Sequence, residues 1–387
     1  MGQGRRVKLQ GVEPCPHRPP CPGCPRYGEP GVAGTALARL AALASGAGLP
    51  PPSATQGAPF GYRVRARLVV RGRASSPKLG IFEAGTHRVV DIPRCRVHHP
   101  LVNRVAAAAR DAIRAARTRP YAERTHAGDL RAIQVVVERV SQTAQVVLVG
   151  NAAEPRALEP LADALVASLG AALHSLWWNG QPARSNAILG PHWHRWRGPE
   201  AVREAIGRAD VFFPPGAFGQ SHLALADSIV ERIHGWVPSG QRVAELYAGC
   251  GPIGLGLLAR SSAVALNEQS EGGLRGLALG LAARPAAERA RARIAPGAAG
   301  EVAAELLAGA DVAIVDPPRK GLDAAALAAL SAAPPAMLAY VSCDLDSFER
   351  DAAALLSGGR LRLAELAAYD LFPNTEHVET LARFEAV

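Results

Sequence analysis

Four short apolar runs in the last third of the chain each stop on a polar or reactive residue: "RVAELYAG", "AVALNE", "VAIVD" and "AMLAYVSC". Ala-rich helical stretches separate them. Near-continuous apolar strands that alternate with helices read as a doubly wound, mostly parallel sheet buried on both faces. Such a sheet gathers its ligands beyond the carboxyl ends of its strands. From about residue 220 onward, the residues that end the runs therefore carry the functional question.

In "VAELYAGCGPIGLGLL" a strand ends at Tyr247, and Gly249, Gly251 and Gly254 open a helix. Glycine lets the backbone take positive φ and approach a ligand closely. Glu268 ends the next strand about twenty residues on, where an acid can accept both hydroxyls of a ribose. NAD and S-adenosylmethionine both satisfy that pattern. "DVAIVDPPRKGLD" narrows the choice. Asp316 ends a strand, Pro317 and Pro318 stop it rigidly beside a carbonyl-lined ledge, and Arg319 and Lys320 bring positive charge to meet an anionic substrate. NAD enzymes have no need of such an element, whereas nucleic-acid methyltransferases often carry one like it.

Cys343, taken alone, reads equally as a small buried hydrophobe. Glu379 follows it by 36 residues, in "LFPNTEHVETLARF". That spacing is one strand–helix–strand unit, so two neighbouring strand ends would bring thiol and carboxylate to one rim. A cysteine nucleophile with a glutamate base suits attack on a pyrimidine ring.

The front of the chain differs. Residues 1–100 hold 15 Lys and Arg against 4 Asp and Glu, while the whole chain nets only +9. A basic front on a nearly neutral remainder points to a polyanion held by the front part. "YRVRARLVVRGR" alternates so that Arg63, Arg65, Arg67, Arg71 and Arg73 share one face of a strand. Cys15, Cys21 and Cys24 crowd a Pro- and Gly-rich stretch that cannot order itself as helix or sheet. A helix over "GTALARLAALASGAG" and a linker-like "PPPSATQGAPF" follow; the middle of the chain reads as α+β with antiparallel strands. No apolar run is long enough to span a bilayer, and the basic start lacks the apolar segment of a signal peptide. The expected compartment is cytoplasmic, where thiols bind metal sooner than they pair.

Taken together, these motifs resemble the S-adenosylmethionine-dependent RNA uracil-5-methyltransferase family that acts on tRNA and rRNA. "PPGAFGQSHLALA" is similar to that family's Phe-x-Gln segment, "ELYAGCGPIGL" and "LNE" to its cofactor turn and ribose acid, "VDPPRKGL" to its Asp-Pro-Pro-Arg-x-Gly motif, and "YVSCDL" and "LFPNTEHVET" to its nucleophile strand and closing segment. The resemblance implies Cys343 as nucleophile and Glu379 as base. It implies Gln220, Tyr247, Gly249, Glu268 and Asp316 as cofactor-binding residues. Cys15, Cys21, Cys24 and Cys95 resemble the four-cysteine site of the iron–sulfur rRNA branch, here without that branch's amino-terminal β-barrel. Four thiolates suit a [4Fe–4S] cluster, with zinc as the second reading. Asp344-Leu345 stand where the family has Asn-Pro after the nucleophile, and Pro252 where a polar residue is usual.

The expected fold is α/β: a carboxyl-terminal Rossmann-like methyltransferase sheet over 206–387, a central α+β RNA-binding domain over 58–205 that includes Cys95, and a cysteine-cluster segment with a helix over 1–57. The expected activity is methyl transfer from S-adenosylmethionine to C5 of a uridine in rRNA or tRNA. The expected partner is RNA, with no membrane, no obligate protein partner and a monomeric chain. The departures near the cofactor motivate the alternative, a catalytically impaired iron–sulfur RNA-binding protein on a methyltransferase fold.

Overall fold

The computed structural model describes residues 12–29 and 31–387. They form two units, one made of Gly28–Gly57 with Ala205–Val387, the other of Ala58–Glu204 with residues 12–27. The first elements of the chain, α1 (Gly34–Gly46) and β1 (Ser53–Thr55), belong to the former.

The second unit is built on seven strands: β2 (Arg65–Arg73), β3 (Ser76–Phe82), β4 (Val89–Asp91), β5 (Leu130–Glu138), β6 (Thr143–Gly150), β7 (Leu173–Gly180) and β8 (His192–Arg197). Their order in the sheet is β4-β3-β2-β5-β6-β7-β8, with every pair antiparallel except β6 and β7. Helices α2 (Pro100–Ala115) and α3 (Glu159–Leu169) pack on one face. The α2 start is legible locally: Pro100 presets the first turn and the His99 ring accepts a hydrogen bond from the Leu101 amide. The alternation of β2, β5, β6 and β7 sends Leu68, Val70, Ile133, Val135, Val146, Leu148 and Trp178 inward. A methyl group on Gly150 would strike both Trp178 and Leu158, just ahead of α3, which fixes the inner side of the sheet as the helix side.

A hairpin of β9 (Val202–Ile206) and β10 (Ala209–Phe213) carries the chain onward. Then follow α4 (Leu223–Trp236), β11 (Arg242–Leu246), α5 (Gly254–Leu257), β12 (Ala263–Glu268), α6 (Glu271–Ala282), α7 (Ala286–Arg289), β13 (Ala292–Pro296), α8 (Ala299–Leu307), β14 (Val312–Val315), α9 (Ala324–Ala332), β15 (Met337–Ser342), α10 (Leu345–Ser357), β16 (Leu361–Tyr369) and β17 (Glu379–Ala386). The sheet order is β1-β16-β17-β15-β14-β11-β12-β13. β11 to β15 run parallel, and β17 enters antiparallel between β15 and β16. The "PPPSATQ" stretch, linker-like in composition, instead supplies β1, which pairs in parallel with β16 at the sheet edge. Its prolines, Pro50 to Pro52, end before the strand begins at Ser53. No helix among the described residues is long and apolar enough to cross a membrane.

One buried carboxylate ties the elements beneath the sheet's carboxyl rim. Asp351, fully buried on α10, accepts hydrogen bonds from the Tyr340 hydroxyl at 2.7 Å and the Leu322 amide at 2.8 Å, and pairs with Arg350. It thereby fastens the loop after Asp316 to the strand that leads to Cys343. A methyl group on Gly321 would come within 2.3 Å of that carboxylate, so the loop follows this path only with glycine, which is at φ +79°. Tyr340→Phe is expected to remove about 1.5–3 kcal/mol, as loss of a hydrogen bond to a charged group does. A lower urea midpoint at unchanged m value would show it.

Candidate active site

Strand register assembles the site. β14 and β15 run parallel with Val315 beside Tyr340, so Asp316 and Cys343 leave neighbouring strands at the same rim. β15 and β17 run antiparallel with Ser342 opposite Thr380 as the last pair, so Cys343, just past β15, and Glu379, the first residue of β17, flank that pair at the rim. Glu379 thus comes from the first residue of an antiparallel strand, with β16 set beyond it, rather than from the carboxyl end of a parallel neighbour. On the other side β11 lies next to β14, and β12 next to β11, which brings Tyr247 and Glu268 to the same rim.

The electrostatics are those of acids crowded out of water. Glu379 is fully buried and neither carboxyl oxygen meets a donor. Burial, and then the Asp316 charge, push its pKa well above the usual carboxylate range, with Arg319 opposing. Burial raises Asp316 to about 7. Glu245, buried on β11 with Oε2 unpartnered, is raised to about 8 by burial, with Asp316 and Glu268 adding to it. The Cys343 thiol, half-buried, is pushed up to about 11 by burial first and then by Glu379 and Asp316, while the exposed Arg319 pulls it down. Among the described residues, Arg319 is the cation that acts on both Cys343 and Glu379.

The glycine turn after β11 is left-handed at three places: Tyr247 at φ +60°, Gly249 at +58° and Gly251 at +82°. For tyrosine that region is strained. Its hydroxyl holds the conformation by donating to Asp323 at 2.8 Å, while Asp323 also caps α9. A methyl group on Gly249 would meet nothing within 4 Å, so the turn is open on that side. Glu268 accepts hydrogen bonds from the amides of Gly249, Gln269 and Ser270 at 2.6–3.0 Å. This aims a fixed carboxylate along the open turn. Gln220 lies in the irregular stretch before α4, whose Phe218 carbonyl meets the Cys250 thiol of the turn at 3.9 Å. An open glycine cradle, an anchored acid and the orphaned Glu245 oxygen fit a nucleoside cofactor. Asp344, which replaces the family's asparagine, caps α10 by accepting from the Ser347 amide, so the departure keeps a helix start.

In the other unit the four cysteines are all half-buried. Cys24 is raised to about 12 by burial and then by Cys95, Cys21 and Cys15; Cys95 is raised by burial and feels Cys21 and Cys15. Cys24 and Cys95 each feel Cys15 and Cys21, and the four thiols form a soft donor set. Among the described residues, however, no three metal-ligating side chains are drawn into the spacing of a bound ion. The arginine face is only partly free. Arg67 donates to Gln134 at 2.7 Å, and Arg71 lies over the rings of Phe82 and Tyr121; burial lowers the pKa of both. Arg73 is exposed, Arg65 half-buried, and Arg63 sits over Tyr62 ahead of the strand. The sequence reading passed over two features: the Tyr247–Asp323 bond, signalled only by an Asp before an Ala-rich helix, and the exposed strand β8.

Known proteins bear on this arrangement. The family model for tRNA (uracil-5-)-methyltransferases matches residues 308–385, which span β14 to β17. An RNA methyltransferase of Protochlamydia amoebophila is 34% identical over 85% of this chain and 87% of its own length. One from Geobacter sulfurreducens is 31% identical over 83% of this chain and 65% of its own. The crystal structure of Pyrococcus abyssi tRNA (uracil-54, C5)-methyltransferase with S-adenosyl-L-homocysteine shares the fold, with TM-score 0.74 at 22% identity, covering 90% of this chain and 83% of that one.

The charges around Cys343 predict two opposite shifts. Arg319→Met is expected to move the pH profile of Cys343 alkylation by iodoacetamide upward, because the opposing cation is gone. Glu379→Gln is expected to move it downward, because a carboxylate that disfavours the thiolate is gone. Peptide mass spectrometry after timed alkylation reads both.

Proposed function

This chain belongs to the S-adenosylmethionine-dependent RNA uracil-5-methyltransferase family, and on that premise we propose that it methylates C5 of one unpaired uridine in an rRNA or tRNA, with Cys343 as nucleophile and Glu379 as base. The observation that supports the proposal is the pairing of β15 with β17, which ends at Ser342 and Thr380 and leaves Cys343 and the buried, unpartnered Glu379 at the positions just beyond that last pair.

Gln220, Tyr247, Gly249, Glu268 and Asp316 hold S-adenosylmethionine in this reading, Glu268 accepting from the ribose hydroxyls along the open turn. When bound, that cofactor supplies the methyl group. The chain's own residues do the rest. C5 of uracil is too weak a nucleophile until a group adds to C6. Cys343 releases its proton to solvent and its sulfur bonds to C6, which gives C5 enolate character. Arg319 favours the thiolate and meets the backbone of the incoming RNA. After C5 has taken the methyl, it still carries its hydrogen. Glu379 removes that proton, the C5–C6 double bond re-forms, and the Cys343–C6 bond breaks to release thiolate. A carboxylate raised by burial is a stronger base than a solvated one. The target base must leave any stack first, at a cost of roughly a few kcal/mol, which an unpaired loop lowers.

The two substitutions are expected to fail differently. Cys343→Ala should form no protein–RNA adduct and no methylated uridine. Glu379→Gln should let the methyl transfer and then stall, so that an adduct carrying the methyl label survives denaturing gels. Nucleoside mass spectrometry and gel labelling distinguish them; full activity in Cys343→Ala would end the proposal.

The four cysteines complete the reading as ligands of a [4Fe–4S] cluster that orders residues 12–27, a stretch of turns without helix or strand. Their soft donor set and the effect of Cys15 and Cys21 on Cys24 and Cys95 support it. Anaerobically purified protein is expected to be brown, with broad absorbance in the visible. Colourless protein with stoichiometric zinc would replace the cluster by zinc, and protein with neither metal would remove the site.

A further inference from the structure

Strand β8 reads "HWHRWR", two Trp, two His and two Arg with no acid and no aliphatic residue. It is the edge of its sheet, and all of it except Trp196 is exposed. Trp193 keeps 39% of its surface accessible, as few large apolar side chains here do. Arg195 lies over the Trp177 ring, 5.5 Å from its centre, and neither Arg195 nor Arg197 meets a carboxylate among the described residues.

Register carries this edge back to the arginines of β2. Arg67 faces Gln134, Gln134 faces Val147, Val147 faces Trp177, and Trp177 faces Arg195. The adjacent row runs Val69, Ala132, Val149, Asn179 and Trp193. Both rows lie on the face away from α2 and α3, where buried Ala132, Val147 and Val149 cluster with Trp177 and Leu189, so that only the ends at Arg67 and β8 reach the surface.

We infer that the exposed β8 end of this face, Trp193 with Arg195, is a platform for a single-stranded stretch of the RNA substrate. A base stacks on Trp193, and Arg195, held over Trp177, meets an adjoining phosphate. Isolated aromatics between cations, without a contiguous apolar patch, match the chemistry of a flexible polyanion with π-faces. The inference rests on RNA being the substrate, and it adds where and in what form the RNA is held.

The full chain is titrated with a fluorescein-labelled, U-rich single-stranded RNA and with an RNA duplex of equal length. Trp193→Ala is expected to weaken single-strand binding roughly ten-fold or more, as loss of one stacked base does. Trp193→Phe should retain most of the affinity, which separates stacking from a folding defect. Arg195→Ala should reduce the log–log salt slope by about 0.7, one phosphate contact on a single strand. Unchanged affinity in Trp193→Ala, or a wild-type chain that binds duplex as tightly as single strand, overturns the platform. The two readings fail apart. A wild-type chain that binds single strands through Trp193 but never methylates uridine loses the proposed reaction and keeps the platform. A chain that methylates uridine with the same KM in Trp193→Ala keeps the reaction and loses the platform.

Discussion

The antiparallel entry of β17 between β15 and β16 is the constraint on which the site depends. A purely parallel sheet would deliver every strand's carboxyl end to the rim, and the acid next to Cys343 would have to come from a loop. Reversal of β17 instead puts the first residue of a hydrogen-bonded strand there, held by ladders on both sides. Position on a strand with two neighbours fixes a side chain better than position on a loop. It also makes the geometry all-or-none, because a slip of one residue would turn Glu379 to the other face of the sheet.

Crowding gives the rim its chemistry. Glu245, Asp316 and Glu379 cannot all be ionised in a space that burial has stripped of water, so they hold protons at pH values where solvated acids have lost them. Asp316 acts on both of the other acids and on Cys343. A ligand that brings positive charge to this rim changes the ionisation of all four groups together.

Much of this was legible from residue order. Apolar runs that stop on Tyr247, Glu268, Asp316 and Cys343 mark the carboxyl rim, because a parallel sheet leaves its strands no other polar terminus. The direction of β17 was not legible, since an apolar run reads the same both ways. β1 hid behind the run of Pro50 to Pro52, which reads as a linker and ends where the three-residue strand begins. β8 was missed because it shows no alternation of apolar and polar residues, both of its faces being polar or aromatic. The period-two arginines did share a face, but sequence could not show that the Arg67 and Arg71 guanidiniums are engaged with Gln134 and with the rings of Phe82 and Tyr121.

An edge strand leaves a row of backbone N–H and C=O groups open to any other strand, including the same strand of a second copy. On β8 that row is flanked by Arg195 and Arg197. Two such edges brought together would set like charges side by side. The cations that suit this edge to a polyanion therefore also keep it from becoming a seed for sheet-to-sheet aggregation.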